Sequence, residues 1–172
     1  MRYRNDITAE FVRSILDYDP KTGEFRWRWR DSAIEMWNID NAGNKAGITT
    51  SKGYIRIKIA KAQYMAHRLA WLYVNGEWPI DQIDHRNGVK SDNSIKNIRQ
   101  ANNIQNKQNS PARIDNCIGL KGVHLHKSGK WRSQICINGI VKYLGLFSTP
   151  ENAHSAYCEE ARKNFGEFSR SA

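Results

Sequence analysis

An aspartate and a histidine stand side by side at Asp84 and His85, and two asparagines follow at set distances. Asn97 lies twelve residues after His85, and Asn106 lies nine residues after Asn97. An unperturbed imidazole has a pKa near ~6.5, so His85 can accept a proton at neutral pH, and general base catalysis is typically worth about 10²- to 10⁴-fold in rate. A histidine in a turn is more often an ordinary surface residue than a catalytic base. Whether His85 is a base therefore depends on the secondary-structure elements around it.

These elements would hold the pair at the end of a strand. The sequence HRLAWLYVN over residues 67–75 predicts a helix that ends at Gly76, and Pro79 then favours an extended entry into residues 82–85. A short hairpin is expected there. A further helix over residues 101–109 would carry Asn106, although its many asparagines are poor helix formers.

These segments resemble the HNH nuclease motif in its His-Asn-Asn form, as found in homing-type endonucleases of phages and mobile elements. The residues that carry the resemblance are His67-Arg68-Leu69-Ala70, Ile83-Asp84-His85-Arg86-Asn87-Gly88, Asn93-Ser94-Ile95-Lys96-Asn97-Ile98-Arg99 and residues 103–109. The resemblance implies a ββα-metal nuclease fold that hydrolyses DNA phosphodiester bonds at specific sites.

The resemblance also implies a role for each motif residue. His85 would activate the attacking water, Asp84 and Asn106 would ligate one divalent ion, and Asn97 would bridge the loop of the motif and so hold His85 in place. Oxygen ligands suit Mg²⁺, with Mn²⁺ possible, better than zinc, and no structural zinc is expected. His67 also falls in the pattern, where a buried hydrogen-bonding role and a phosphate contact both stay open.

Composition restricts the class of protein. The 172 residues include 27 Lys and Arg against 17 Asp and Glu, a net charge of +10, which attracts polyanions such as double-stranded DNA. The longest strongly apolar stretch, residues 70–74, is far shorter than the ~20 residues of a membrane helix, and the first six residues lack the apolar segment of a signal peptide. We therefore expect a cytoplasmic protein of a bacterial or phage-infected cell, with no membrane partner and no small-molecule cofactor.

The cysteines give no sign of a cross-link. Cys117, Cys136 and Cys158 are odd in number and lack the Cys-x-x-Cys spacing. They predict neither a disulfide framework nor a four-ligand zinc site, and we expect all three to be reduced.

Residues 1–66 are predicted to form a small β-rich α+β region packed on the nuclease. Residues 8–16 show the spacing of a short amphipathic helix, and after a turn, aromatic residues alternate with arginines over 25–30. The alternation predicts a strand with an aromatic face and a basic face, and the basic face could meet solvent, an anionic membrane surface or the DNA backbone. A polar, turn-rich stretch over 38–47 precedes residues 53–59, which predict a second strand paired near the first.

A second domain is predicted after the nuclease core of residues 67–110 and a linker over 111–118. Within residues 119–172, three short strands are expected over 122–126, 131–137 and 142–147, with Asn138-Gly139 as a hairpin turn. A helix begins after the capping sequence Ser148-Thr149-Pro150-Glu151. The predicted fold class is therefore α+β, ending in a three-stranded antiparallel sheet backed by one helix.

The second domain resembles the AP-two/ERF DNA-binding domain of plant ethylene-response factors. The resemblance rests on Lys121-Gly122-Val123, Gly129-Lys130-Trp131, Tyr143-Leu144-Gly145-Leu146-Phe147 and residues 153–157. It implies that the exposed sheet face enters the DNA major groove, although a solvated face is the plain alternative. This sequence departs from the plant pattern by having His124, His126, Cys136 and Val141 where arginine is usual, so the base preference is not inherited.

Candidate DNA contacts come from both domains, and two other functions compete with that of a DNA endonuclease. The basic and polar candidates are Arg68, Lys90, Arg99, Lys107, Lys121, His124, His126, Lys130, Arg132, Gln134 and Tyr143. A DNA-binding regulator with a decayed nuclease centre and an RNA-binding structural protein fit the same charge, but they leave the intact motif unexplained. The sequence leaves a monomer and a homodimer equally open.

Overall fold

The computed structural model describes residues 4–112, 116 and 118–169. The chain divides into two compact units, Met1–Asn102 and Asn103–Ala172. The helices are α1 (Ala9–Ile15), α2 (Glu35–Asn41), α3 (Ala66–Asn75), α4 (Asn103–Gln108) and α5 (Pro150–Phe165). The strands are β1 (Leu16–Tyr18), β2 (Phe25–Trp27), β3 (Ile48–Thr49), β4 (Ile55–Ile59), β5 (Ala62–Met65), β6 (Gln82–His85), β7 (Ile98–Ala101), β8 (Val123–Leu125), β9 (Trp131–Ile137) and β10 (Ile140–Phe147). This mixture of helices and small sheets confirms the predicted α+β class.

Two further sequence expectations concern membrane-spanning segments and the cysteines. None of the described helices combines the length and apolar composition that a membrane span requires. Cys117 and residues 113–115 of the predicted linker lie outside the described residues. Cys136 is exposed, Cys158 is buried, and both are free thiols.

Helix α1 begins at the predicted cap. The Thr8 hydroxyl oxygen accepts a hydrogen bond from the backbone N–H of Phe11 at 3.2 Å. This cap satisfies one of the N–H groups that the first helical turn leaves without an intrahelical partner. Val12 and Ile15 are buried, so the helix packs its apolar stripe against the first unit.

Strand β2 is shorter than the alternation of aromatic residues and arginines predicts. It pairs antiparallel with β1, and the last pair is Leu16 with Trp27. The residues that precede Leu16 belong to α1, so β1 offers no further pairing to the residues after Trp27. Trp29 is 56% exposed. The predicted strand over 25–30 with two distinct faces is therefore wrong beyond Trp27.

The isoleucine-rich strand β4 lies in a sheet of its own. It pairs antiparallel with β3 and β5, in the order β3-β4-β5, and not with β2 as the sequence led us to expect. Ile57 and Ile59 are buried and Lys58 between them is exposed, which confirms the predicted alternation. Helix α2 occupies part of the stretch that was predicted to be only turns.

One hydrophobic cluster joins the first 66 residues to the strands that carry Asp84 and His85. It includes buried side chains from α1, β1, β2, β4, β5, α3, β6 and β7. Helix α3 contributes Leu69 and Leu72 and ends at Gly76, whose φ of 81° suits glycine. Burial of this stripe anchors α3 beside the β6–β7 pair.

Strands β6 and β7 form an antiparallel pair, and α4 follows β7 in sequence. Asp84 lies opposite Arg99, and His85 lies opposite Ile98. Residues 86–97 connect the two strands. Helix α4 is shorter than predicted because Ala101 is the last residue of β7, and the compact-unit boundary places α4 in the second unit.

The second unit contains α4 and a three-stranded antiparallel sheet with α5 packed on it. The strand order is β10-β9-β8, and the β9–β10 turn has positive φ at both Asn138 (51°) and Gly139 (83°), as the predicted two-residue hairpin requires. Thr149 caps α5 by accepting from the Asn152 N–H at 3.2 Å. Ile135, Tyr157 and further apolar side chains of α5 form the core of this unit.

Candidate functional site

Asp84 and His85 are the last two residues of β6, and both side chains are buried. The neighbouring strand β7 fixes their backbone, and His85 O accepts the Gly88 N–H at 2.9 Å as the chain leaves the strand. The sequence predicted this location at a strand end.

The loop after His85 is tied together by Asn97. Its side-chain amide donates to the Asp92 carbonyl oxygen at 2.7 Å, and its Oδ1 accepts from the Asn87 backbone N–H at 3.0 Å. The Asn97 carbonyl oxygen accepts from the Arg86 N–H at 2.8 Å. Asn97 therefore bridges the start and the end of the loop, which is a geometric role.

The His85 imidazole has a side-chain partner that sequence reasoning did not single out. His85 Nε2 lies 3.1 Å from Asn93 Oδ1, inside the first unit. Burial lowers the pKa of His85, against the opposing effects of the Asn93 hydrogen bond and the Asp84 and Asp92 carboxylates. A lowered pKa keeps the imidazole neutral at pH 7, the state in which it can accept a proton.

A second histidine packs against the first. His67, on α3, meets His85 edge-on with ring centroids 5.2 Å apart, and Tyr54 contacts both rings. His67 is 5% exposed, and its Nδ1 atom is buried without a hydrogen-bond partner. Burial, with smaller contributions from His85 and Arg68, lowers the pKa of His67 from 6.5 to about 3. His67 is thus a neutral, packed side chain away from solvent.

The low pKa of His67 predicts a pH dependence of stability. Between pH 6.5 and about 3, the unfolded chain binds a proton at His67 that the folded chain excludes. The free energy of unfolding should therefore fall as the pH drops through this window, at about 1.4 kcal/mol per pH unit from this group, and show no contribution from it above pH 7. Urea unfolding of the wild type and of His67→Phe at pH 8, 6 and 5 measures it. Equal slopes in the two proteins would contradict the assignment.

Asp84 forms a buried ion pair with Arg99. Its Oδ2 atom lies 2.9 Å from Arg99 Nε and 2.8 Å from Arg99 Nη2, and both side chains are less than a tenth exposed. Arg99 was expected to contact DNA, but the structure uses its guanidinium inside the fold. The pair follows from the strand register, which sets the two residues opposite each other.

Arg68 is the second predicted DNA contact that is buried. Its guanidinium donates to the backbone oxygens of Asp81 at 3.0 Å and Pro79 at 3.2 Å, and to Asn5 Oδ1 at 3.3 Å. These bonds tie α3 to the segment that leads into β6. Arg68 therefore holds the scaffold of the site, and a phosphate contact does not fit its burial.

The chemistry of Asp84 fits a divalent cation. Carboxylates that ligate metals are commonly oriented by a hydrogen bond from a neighbouring group, which Arg99 supplies here. Among the described residues, no group of three or more His, Cys, Asp and Glu side chains could hold a metal ion. A lone carboxylate suits Mg²⁺, which keeps several waters and shares its ligands with phosphate, better than zinc. Asn106, the other predicted ligand, is half-buried on α4.

Other predicted contacts are on the surface, with one exception. Lys90 is exposed, stacks over Tyr54 at 5.1 Å and donates to the Lys52 carbonyl oxygen, and Lys107 is exposed on α4. Lys121 Nζ donates to the backbone oxygens of Gln108 at 2.6 Å and Ser110 at 2.7 Å. The Lys121 ammonium group thus binds backbone carbonyls at the end of α4, within the second unit.

The outer face of the β8-β9-β10 sheet gathers the polar candidates. Cross-strand pairs place His124 with Arg132 and Gln134 with Tyr143 on one face, and Gln134 Nε2 lies 3.2 Å from His124 Nε2. Lys130 is exposed beside them, and His126 Nδ1 lies 2.8 Å from Ser128 Oγ within the β8–β9 turn. This face is turned away from α5, as the alternation predicts.

Comparison with known protein families agrees with the motif. Residues 64–108 match the HNH endonuclease family. A solved structure of DNA binding and cleavage by the HNH homing endonuclease I-HmuI is similar over 93% of this chain and 83% of that chain, with 18% identity and a TM-score of 0.42. No curated protein matches this sequence. The matched segment contains α3, β6, β7 and α4, together with Asp84, His85, Asn97 and Asn106, and this match identifies the chain as a nuclease.

Proposed function

We propose that this nuclease is a site-specific, divalent-metal-dependent DNA endonuclease, of the homing type found in phages and mobile elements. The observation that carries the proposal is the buried Asp84-His85 pair at the end of β6, within the matched segment. The neutral imidazole and the oriented carboxylate supply the two groups that phosphodiester hydrolysis needs from the protein, a proton acceptor and a metal ligand.

The proposed roles follow the motif. His85 takes a proton from the attacking water, and its neutral state at pH 7 leaves it ready to do so. Asp84 and Asn106 offer oxygen atoms to one divalent ion, Mg²⁺ or Mn²⁺, which when bound stabilises the charge on the phosphate and on the departing 3′ oxygen. Asn97 keeps the loop that follows His85 closed.

DNA is the proposed partner because both halves of the chain are basic. Residues 1–110 have 18 basic and 12 acidic residues, and residues 111–172 have 9 and 5. The second unit would act as an AP-two/ERF-like DNA-reading module through its outer sheet face, which a major groove can accommodate. His124, Arg132, Gln134 and Tyr143 present the donors and acceptors of that face.

The primary test is cleavage of supercoiled plasmid and of a library of random duplexes. With Mg²⁺ or Mn²⁺ the protein should convert plasmid to open or linear forms and cut a restricted set of library sequences, and EDTA should stop both. Stable DNA binding with no cleavage in either metal would instead favour a regulator with a decayed centre. Cutting at random positions would refute site specificity.

Arg132 should contribute to sequence discrimination. If it reads a base edge from the outer sheet face, Arg132→Ala should reduce the preference for selected over random duplex by about 1–3 kcal/mol. Arg162→Ala is the matched control, because it removes the same charge from the end of α5. Competition binding at several salt concentrations gives both values, and equal losses in the two variants would reduce Arg132 to a phosphate contact.

A further inference from the structure

Asn93 is the most completely buried polar side chain next to His85. It is 0% exposed, its Oδ1 atom lies 3.1 Å from His85 Nε2, and its Nδ2 atom donates to the Ser91 carbonyl oxygen at 3.3 Å. The Ser91 contact fixes which way the amide points, since only its nitrogen can donate to a carbonyl. The oxygen therefore faces the imidazole. A buried amide without such bonds would cost free energy, so the two contacts stabilise Asn93 in this orientation.

The hairpin formed by residues 16–27 holds the backbone around Asn93. The Tyr18 hydroxyl donates to the Asn93 carbonyl oxygen at 2.8 Å, and the Ile95 N–H donates to the Pro20 carbonyl oxygen at 3.0 Å. Gly23 packs so closely that a Cβ atom there would lie 2.3 Å from the Asn93 carbonyl carbon. Asn93 is thus fixed from both sides by a segment about 70 residues earlier in the chain.

We propose that Asn93 is a positioning residue for catalysis, and that the 16–27 hairpin is the support that keeps it in place. The inference rests on the proposed role of His85 as the base. An amide oxygen can only accept a hydrogen bond, so His85 Nε2 carries the proton and the lone pair lies on Nδ1. Asn93 thus sets which ring nitrogen of His85 carries the proton and holds the imidazole in place.

This arrangement makes the 16–27 hairpin part of the nuclease machinery. The matched segment begins at residue 64, so Tyr18 and Gly23 lie outside it. Catalytic groups that are misplaced by about 1 Å can lose about 100-fold in rate, and the hairpin sets the position of Asn93 on that scale. The hairpin supports the base through one intermediate residue and touches no reacting atom.

The tautomer of His85 is measurable without any DNA. Long-range ¹H–¹⁵N correlation spectra of the full chain at pH 8 distinguish the two neutral tautomers, and the His85→Gln variant identifies the His85 signals. We expect the Nε2–H form in the wild type and a mixture in Asn93→Leu, which keeps the volume but removes the acceptor. An Nδ1–H form in the wild type overturns the proposal, even if the protein cuts DNA.

Cleavage kinetics then test the positioning. Asn93→Leu should lower kcat about 100-fold with an unchanged KM for DNA, and Asn93→Asp, which keeps an oxygen acceptor, should restore most of the loss. Wild-type kcat in Asn93→Leu overturns the inference. If the wild type itself cuts nothing, the proposed function fails, while the tautomer spectrum still decides whether Asn93 orients His85.

Glycine variants test the hairpin separately. Gly23 and Gly43 have similar φ values of 75° and 81°, but no atom lies within 4 Å of a Cβ at Gly43. Both alanine variants bear the same backbone strain, and only Gly23→Ala pushes on Asn93. We expect Gly23→Ala to lower kcat at least tenfold more than Gly43→Ala and to broaden or shift the His85 signals. Equal effects of the two variants on kcat and on these signals would exclude the hairpin as the support.

Discussion

Replacing His85 with alanine should abolish metal-dependent cleavage while DNA binding persists. The imidazole is neutral because burial lowers its pKa, and it lies in the matched HNH segment. Removing a general base affects the transition state more than the bound ground state, so the loss should fall in kcat and reach about 10²- to 10⁴-fold. Single-turnover cleavage and binding in Ca²⁺ or EDTA measure the two quantities separately.

His85→Gln is the matched variant for this experiment. Its side-chain amide can still donate to Asn93 Oδ1, so it keeps the buried contact but offers no proton acceptor of suitable pKa. It should melt close to the wild type and cut as poorly as His85→Ala. A folded His85→Ala protein that cleaves at the wild-type rate would end the assignment of His85 as the base.

Replacing Asp84 with alanine should have the largest effect on stability. The Arg99 guanidinium would stay buried after losing the carboxylate that accepts from its Nε and lies beside its Nη2. Breaking a buried ion pair from one side typically costs about 3–5 kcal/mol. Urea unfolding should show this loss, whereas Asp17→Ala, which breaks the exposed pair with Arg28, should cost less than about 1 kcal/mol.

The Asp84 variants must separate stability from chemistry. In the double variant Asp84→Leu with Arg99→Leu, no charge is left buried, so most of the stability should return while cleavage stays absent. Asp84→Asn keeps an oxygen that can accept from Arg99 but lowers the charge offered to a cation, so it should require more Mg²⁺ for half-maximal cleavage. Wild-type metal dependence in Asp84→Asn and in Asn106→Ala would remove both from the ligand set.

Local signals were enough to predict several helix ends and one hairpin turn. The α3 end at Gly76, the Asn138-Gly139 turn and the caps at Thr8 and Thr149 each depend on a few adjacent residues. These residues restrict the backbone by themselves, so no distant contact has to be known. The predicted order of strand pair and helix around Asp84 follows from such signals.

Long-range contacts account for the elements that were missed. Helix α2 has no apolar stripe facing a core, because Ile34, Met36 and Ile39 are exposed and its buried Asn38 bonds instead to the Arg30 backbone at 2.8 and 3.1 Å. Periodicity cannot detect such a helix. The pairing of β4 depends on β3 and β5, whose short sequences carry no strong strand pattern.

The burial of charged and polar site residues was also beyond the sequence. In sequence, Arg68 and Arg99 cannot be distinguished from the other arginines near the motif. The partner of Arg99 depends on the strand register, and that of Arg68 depends on the path of the chain after α3. Asn93 lies in an asparagine-rich stretch that favours turns, so its contact with His85 carries no sequence signal of its own. The basic composition indicates an attraction to DNA, but it does not show which basic side chains are exposed and which are buried in the fold.

The hydrophobic cluster shared by α1, the first sheets, α3 and β6–β7 sets a lower limit on what can be transplanted. A chimera that grafts only residues 64–108 onto another protein would contain the motif but lack the residues that support it. Tyr18 and Gly23, which contact Asn93, are among the missing residues. The smallest cassette that an engineer could move, or that recombination could exchange between genes without loss of catalysis, must begin upstream of α1.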